Sequence, residues 1–311
     1  MSFDALTLGA SLYLPATRDD LHPALFSGRI PGLRSAIVCL EDAVRADAVP
    51  LALTNLAALL RRIPADGPPV FVRPRDVPML ARIARLPGAA RLAGFVLPKV
   101  TADSLPAWLA IELAPGTVLM PTLETREALD AAEMRRLREQ LLAVRERIGV
   151  LRIGGNDLLH AMGLRRARGR TAYEGPLGPV IARLVGEFAP HGFPLSAPVM
   201  ERYDDAALLR DEVARDIEHG LLTKSAIHPA QLPVIHAALA VPAHELAEAR
   251  LILAEDAPAV FASDGAMCEP ATHRRWAERL LARGTLFGVA DPLPLPRPGL
   301  QPRAATPRGR A

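Results

Sequence analysis

Two acidic residues follow two apolar runs in this chain: Glu124 in Val118-Leu-Met-Pro-Thr-Leu-Glu124-Thr125, and Asp157 in Val150-Leu-Arg-Ile-Gly-Gly-Asn-Asp157. An apolar run buries a strand on both faces, so a carboxylate at its end stands at the rim of a rigid core. Gly154 and Gly155, just before Asp157, let a ligand come close to the backbone. Two such carboxylates suit one hard divalent cation, which takes oxygen ligands. The competing reading is that each acid caps the helix after its strand.

Other reactive types close other apolar runs: Glu41 and Asp42, then Arg73, then Lys99, and finally Lys224 with His228. Arg73 suits a two-pronged grip on a carboxylate. Of 37 basic residues only Lys99 and Lys224 are lysines, so each needs an account. A desolvated Lys99 could form a Schiff base, but nearby acids would keep it protonated. Lys224 and His228 could hold a phosphate, or could cap the helix that follows.

Something must bring these residues together. Eight apolar or β-rich runs are legible: 6–14, 35–41, 69–73, 94–99, 117–124, 148–154, 194–199 and 220–224. Helical patterns lie between them, at 47–63, 101–114, 125–146, 176–190, 204–219 and 229–240. Such alternation predicts an α/β fold, a (β/α)8 TIM barrel over residues 1–240. No G-x-G-x-x-G follows the first run, which argues against a dinucleotide fold. Active sites of barrels lie at the C-terminal strand ends, where the acids, Arg73 and Lys99 would converge. Two further helical stretches, near 243–262 and 269–283, predict a C-terminal extension over 241–284. Residues 285–311 become rich in proline and arginine and read as a disordered tail.

Composition narrows the classes. Of 311 residues half are hydrophobic, enough for a sizeable core. Two cysteines make no disulfide framework and no zinc pair. The net charge is +3 and only 4% of residues are aromatic, so the cluster Arg165, Arg166, Arg168 and Arg170 does not read as a nucleic-acid surface. No apolar run has membrane-spanning length and the start has no signal-peptide pattern, so a soluble cytoplasmic protein is expected.

Ordered motifs carry a resemblance. Ser11-Leu-Tyr-Leu-Pro15, Cys39-Leu-Glu-Asp-Ala-Val44, Val72-Arg73, Leu97-Pro-Lys99, Leu123-Glu124-Thr125, Gly154-Gly-Asn-Asp157 and Lys224-Ser-Ala-Ile-His-Pro-Ala-Gln231 run in sequence. Together they resemble the citrate lyase β-subunit and its HpcH/HpaI aldolase relatives, in a divergent carbon–carbon lyase branch. The resemblance implies a barrel, a homotrimer and Mg2+ (or Mn2+) held by Glu124 and Asp157. It implies that Arg73 binds the substrate's acid end and that Glu41 reaches metal-bound water. Gly155 and Lys99 join Arg73 as expected substrate contacts. Relatives that use CoA thioesters usually carry Phe-Val-Pro-Gly in the first loop and Arg-x-Asn after the third strand. Here Tyr13-Leu-Pro-Ala16 and Arg73-Pro74-Arg75 stand instead, which argues against a CoA substrate.

The expected activity is metal-dependent carbon–carbon lysis of a small 2-oxo acid, carboxylate or acyl-CoA ester through a metal-stabilised enolate. A lysine-dependent aldolase and a silent scaffold barrel are the alternatives.

Overall fold

A computed structural model describes residues 3–290. They form two compact units that divide after Leu239. Eight parallel strands build the first: β1 Ala10–Pro15, β2 Ser35–Cys39, β3 Val70–Arg73, β4 Gly94–Leu97, β5 Val118–Leu123, β6 Leu151–Ile153, β7 Leu195–Ser196 and β8 Lys224–Ala226. They are hydrogen-bonded in the order β7-β6-β5-β4-β3-β2-β1-β8. A parallel bridge from Ala197 to Lys224 brings the two ends of the sheet together.

The strands are short because a barrel of this kind needs only a few inward layers. Side chains alternate between faces, so every second residue points into the barrel. The lower layer is apolar: Ile37, Phe71, Val96, Met120 and Val150 share one buried cluster with Ala5 and Leu8. Two residues further along the same strands the inward positions become Cys39, Arg73, Thr122 and Arg152. The floor of the barrel is thus oil and its next layer is polar.

Helices cover the outside. Val49–Leu60, Ala131–Leu142, Leu177–Phe188 and Ala206–Glu218 each bury one side, including Leu56, Leu137, Leu184 and Val213. Asp130 and Asp205 cap two of them by accepting backbone N–H bonds in the first turn.

Several expectations shift. Residues 6–8, expected in the first strand, belong instead to the 3-10 helix Ala5–Leu8, whose Ala5 and Leu8 join the lower apolar cluster. The 101–114 helix shortens to Leu105–Leu109, entered through a reciprocal pair of hydrogen bonds between Thr101 and Ser104. The long 125–146 pattern breaks into a 3-10 turn, a helix and a second 3-10 turn. Lys224 opens β8 rather than closing it, since β8 starts three residues after Leu221.

The second unit holds helices Ala243–Leu253 and Pro270–Phe287, with Val241, Ala249, Ile252, Cys268, Ala277 and Leu280 in its core. The helix expected to 262 stops at Leu253; strands Phe261–Ser263 and Ala266–Cys268 follow as an antiparallel hairpin. Residues 285–290, expected in the tail, finish the last helix and form the strand Val289–Ala290. The rest of the expected tail, 291–311, lies outside the described residues. Among the described residues no helix is long and apolar enough to cross a membrane.

Candidate active site

The C-terminal strand ends surround a cavity of about 200 Å3. Its lining includes Glu41, Asp42, Arg73, Glu124, Gly155 and Asp157 from the sequence reading. Lys99 stands beside these acids.

Arg73 is the hub. Its Nε donates to Glu41 Oε2 at 3.0 Å, and its Nη2 donates to Glu124 Oε1 at 2.9 Å. Nη1 reaches Thr122 Oγ1 at 3.3 Å. All three charged side chains are buried, with 7% or less exposed. Glu124 Oε1 also accepts the backbone N–H of Lys99 at 2.7 Å. Placing that N–H requires Lys99 in the left-handed region, at φ 51°, which costs a residue with a Cβ about 1 kcal/mol or more.

The Lys99 ammonium donates to Glu41 Oε1 and to Asp42 Oδ1, the latter at 3.3 Å, and lies 3.9 Å from Asp157 Oδ1. It stands where the acids converge. The loop that carries Glu41 and Asp42 is braced by Arg75, whose guanidinium donates to the carbonyls of Leu40, Glu41 and Val44.

Asp157 lies in the first turn of helix Gly155–Ala161, where the helix dipole favours a negative charge. Gly154 gives Glu124 its place: a Cβ there would collide with the Glu124 side chain. Gly155 is needed for packing as well, since its Cβ would meet Pro198 at 2.9 Å and Leu177 at 3.0 Å.

The charges do not balance. Four carboxylates (Glu41, Asp42, Glu124, Asp157) share only two paired cations (Arg73, Lys99), while Arg152, the third cation of the cavity, pairs with none of them and leaves a net excess of one negative charge. Burial pushes Glu41 up, but Arg73 and its other partners win and hold its carboxyl at about 2. Glu124 goes the other way: burial raises it, Asp157 adds to the rise, and Arg73 only partly offsets them. Burial, followed by the neighbouring Glu41, also raises Asp42. Burial pulls Lys99 down, yet Glu41, Asp42 and Asp157 outweigh it and keep the ammonium charged.

A divalent cation would offset the carboxylates that Arg73 and Lys99 leave unpaired. Among the described residues no group of three or more His, Cys, Asp and Glu is arranged around a metal position. Glu124 and Asp157 offer a pair of carboxylates in the cavity wall. Mg2+ is commonly held by one or two carboxylates while waters and substrate fill its other positions, so the pair fits it.

Two expectations do not join the site. Lys224 Nζ points into the helix layer and pairs with Glu212 at 2.9 Å and Asp216 at 2.8 Å. His228 stacks on Tyr203 at 4.7 Å, and its Nδ1 accepts the Ala230 N–H. Nor do the four arginines at 165–170 form one patch, since Arg166 turns inward to Glu212 and Glu201.

Tyr13, Thr122, Arg152 and Ser225 also line the cavity, and none of them is among the expected site residues. Arg152 had a visible signal: one charged residue in the middle of an apolar strand, at an inward-facing position.

A closed parallel barrel with an acid-rich cavity at its C-terminal strand ends is the architecture of a barrel enzyme. The family model for carbon–carbon bond lyases of the TIM-barrel fold matches residues 2–289, and the chain belongs to that family. It is a carbon–carbon lyase. No curated protein sequence matches the chain.

Among solved structures, it is similar to CitE of Mycobacterium tuberculosis in complex with magnesium, acetoacetate and coenzyme A. The two share 25% identity over 90% of this chain and 99% of that one, with a TM-score of 0.67. A citrate lyase from Burkholderia xenovorans shares the fold at 20% identity, covering 94% of this chain and 95% of that one, with a TM-score of 0.71. RipC from Yersinia pestis shares it at 24% identity, covering 78% and 100%, with a TM-score of 0.60.

Proposed function

We propose that this chain is a Mg2+-dependent carbon–carbon lyase acting on a small 2-oxo acid or related carboxylate. One observation carries the proposal: Glu124 and Asp157 border a cavity in which four carboxylates share only two paired cations, Arg73 and Lys99. Glu124 and Asp157 would hold the ion, which supplies Lewis acidity toward a substrate oxygen when bound. The M. tuberculosis relative, whose structure contains magnesium and acetoacetate, supports this reading.

Arg73 fixes Glu124 and Glu41, and its Nη1 end near Thr122 is left to meet a substrate carboxylate. Glu41 has both oxygens engaged by Arg73, Lys99 and the Asp42 N–H. Its role is to position those cations. Proton transfer then falls to Asp42, which is 61% exposed in its side chain and borders the same cavity. Lys99 would loosen its hold on Asp42 and Asp157 to admit substrate; its charged state does not favour a Schiff base. The altered first loop, with Tyr13 in the cavity wall, favours a free acid over a CoA thioester. A homotrimer, implied by the resemblance, is part of the proposal and is read by light scattering.

The test is turnover with Mg2+ and pyruvate, oxaloacetate or glyoxylate, with acyl-CoA esters as partners or competitors. Cleavage or condensation that EDTA stops, with no borohydride-trapped lysine adduct, is the expected result. EDTA-insensitive activity with a trapped Lys99 would replace the metal route by the lysine route.

A further inference from the structure

Two arginines point into the barrel in its polar layer, and they differ in one respect. Arg73 is neutralised by two glutamates. Arg152, on β6, meets no carboxylate within ion-pair distance among the described residues. Its Nη2 donates to Ser225 Oγ at 2.8 Å, and its Nη1 faces the thioether of Met120 at 3.8 Å, a weak acceptor. Its Nε is buried without a hydrogen-bond partner. The guanidinium carbon lies 5.6 Å from the centre of the Tyr13 ring. The residue is 1% exposed, yet it lines the cavity that holds Glu124 and Asp157.

A charge buried without a counterion is costly, and a protein keeps one where a ligand supplies the partner. A second orphan stands beside it. Ser196 is the register partner of Arg152 on β7, so both side chains face inward, and the buried Ser196 hydroxyl has no hydrogen-bond partner. On the other side the register partner is Thr122, which Arg73 already touches. Arg73, Thr122 and Arg152 therefore form a continuous polar wall that begins where Arg73 holds Glu124 and ends at Arg152.

We propose that Arg152 is the residue that selects for a second, distal carboxylate on the substrate of this cavity. One acid or oxo end meets the metal pair and the Nη1 end of Arg73. The other sits on the Arg152 guanidinium, with the Ser196 and Ser225 hydroxyls beside it. The planar guanidinium fork matches a carboxylate, and the cavity of about 200 Å3 suits a compact acid. The proposal rests on the reading of this cavity as the substrate site, and it narrows the substrate class.

The test pairs two probes that differ by one carboxylate, pyruvate and oxaloacetate, in the presence of Mg2+. Binding is measured by calorimetry on wild type, Arg152→Met and Asp157→Asn, and the melting temperature of each ligand-free protein is recorded. Wild type is expected to bind oxaloacetate more tightly than pyruvate. Arg152→Met should weaken oxaloacetate about 10-fold to 100-fold and leave pyruvate nearly unchanged. It should also melt at the same temperature as wild type or higher, because an unpaired buried charge is gone. Asp157→Asn should weaken both acids.

Oxaloacetate binding that survives Arg152→Met overturns the proposal. Equal loss of both probes in Arg152→Met, with a lowered melting temperature, also overturns it and makes Arg152 a packing residue. If Asp157→Asn changes neither probe while Arg152→Met loses only oxaloacetate, the metal reading fails and the acid receptor stands.

Discussion

Two clusters of buried charge lie in the barrel unit, built from the same residue types. One surrounds Arg73 and Lys99 at the strand ends. The other surrounds Lys224, between β8 and the helix Ala206–Glu218. In the second, Lys224 lies between Glu212 and Asp216, Arg166 donates to Glu212 at 2.5 Å, and the Tyr173 hydroxyl donates to Asp216 at 2.6 Å. The side chains of Lys224, Glu212 and Asp216 are exposed by 2% or less. Each charge there has an opposite partner, and no ligand is called for. In the first cluster four carboxylates share two paired cations, and a cavity lies beside them. Paired and sealed charges mark glue; unshared carboxylates at an opening mark a site.

That contrast can be broken by substitution. The largest effect is expected from Lys224→Met. Removing the lysine leaves Glu212 and Asp216 buried against each other, and denaturant titration should show a loss of about 3–5 kcal/mol. A loss below about 1 kcal/mol would mean that the cluster is not sealed in solution.

Asp157→Asn should behave in the opposite way. It gives up a favourable helix-dipole interaction but relieves repulsion with Glu124, so ligand-free stability should move by only about 1 kcal/mol or less. A loss as large as that of Lys224→Met would make Asp157 a structural partner rather than a ligand. The smallest effect belongs to Lys99→Gly. Glycine adopts the left-handed backbone freely, which returns about 1 kcal/mol and offsets the lost contacts to Glu41 and Asp42. The net change should be near zero, and a destabilisation of several kcal/mol would show that the ammonium is needed to hold the acids together.

Much of this was legible in the sequence, for physical reasons that can be named. Strands buried on both faces read as unbroken apolar runs, so β2 to β6 and their terminal residues Glu41, Arg73 and Glu124 were visible. Lys224 was misplaced because the apolar pair Leu221-Leu222 lies in the approach to β8, while the strand itself begins with a lysine paired to a helix. Sequence periodicity carries no trace of that partner twelve residues upstream. Arg152 was overlooked because its neighbours are apolar and its inward direction follows only from the register with Thr122 and Ser196. The hairpin at 261–268 did carry a signal: Asp264-Gly265, both at positive φ, is the two-residue turn that joins such strands.

The central claim is that Glu124 and Asp157 hold a divalent ion at the mouth of the barrel. The most direct measurement is calorimetric titration of Mg2+ into metal-stripped protein, wild type against Asp157→Asn, in parallel with Lys99→Gly as a folded control. The account predicts one Mg2+ per chain in wild type, retained or tightened in Lys99→Gly, and lost in Asp157→Asn. Undiminished Mg2+ binding by Asp157→Asn would contradict it.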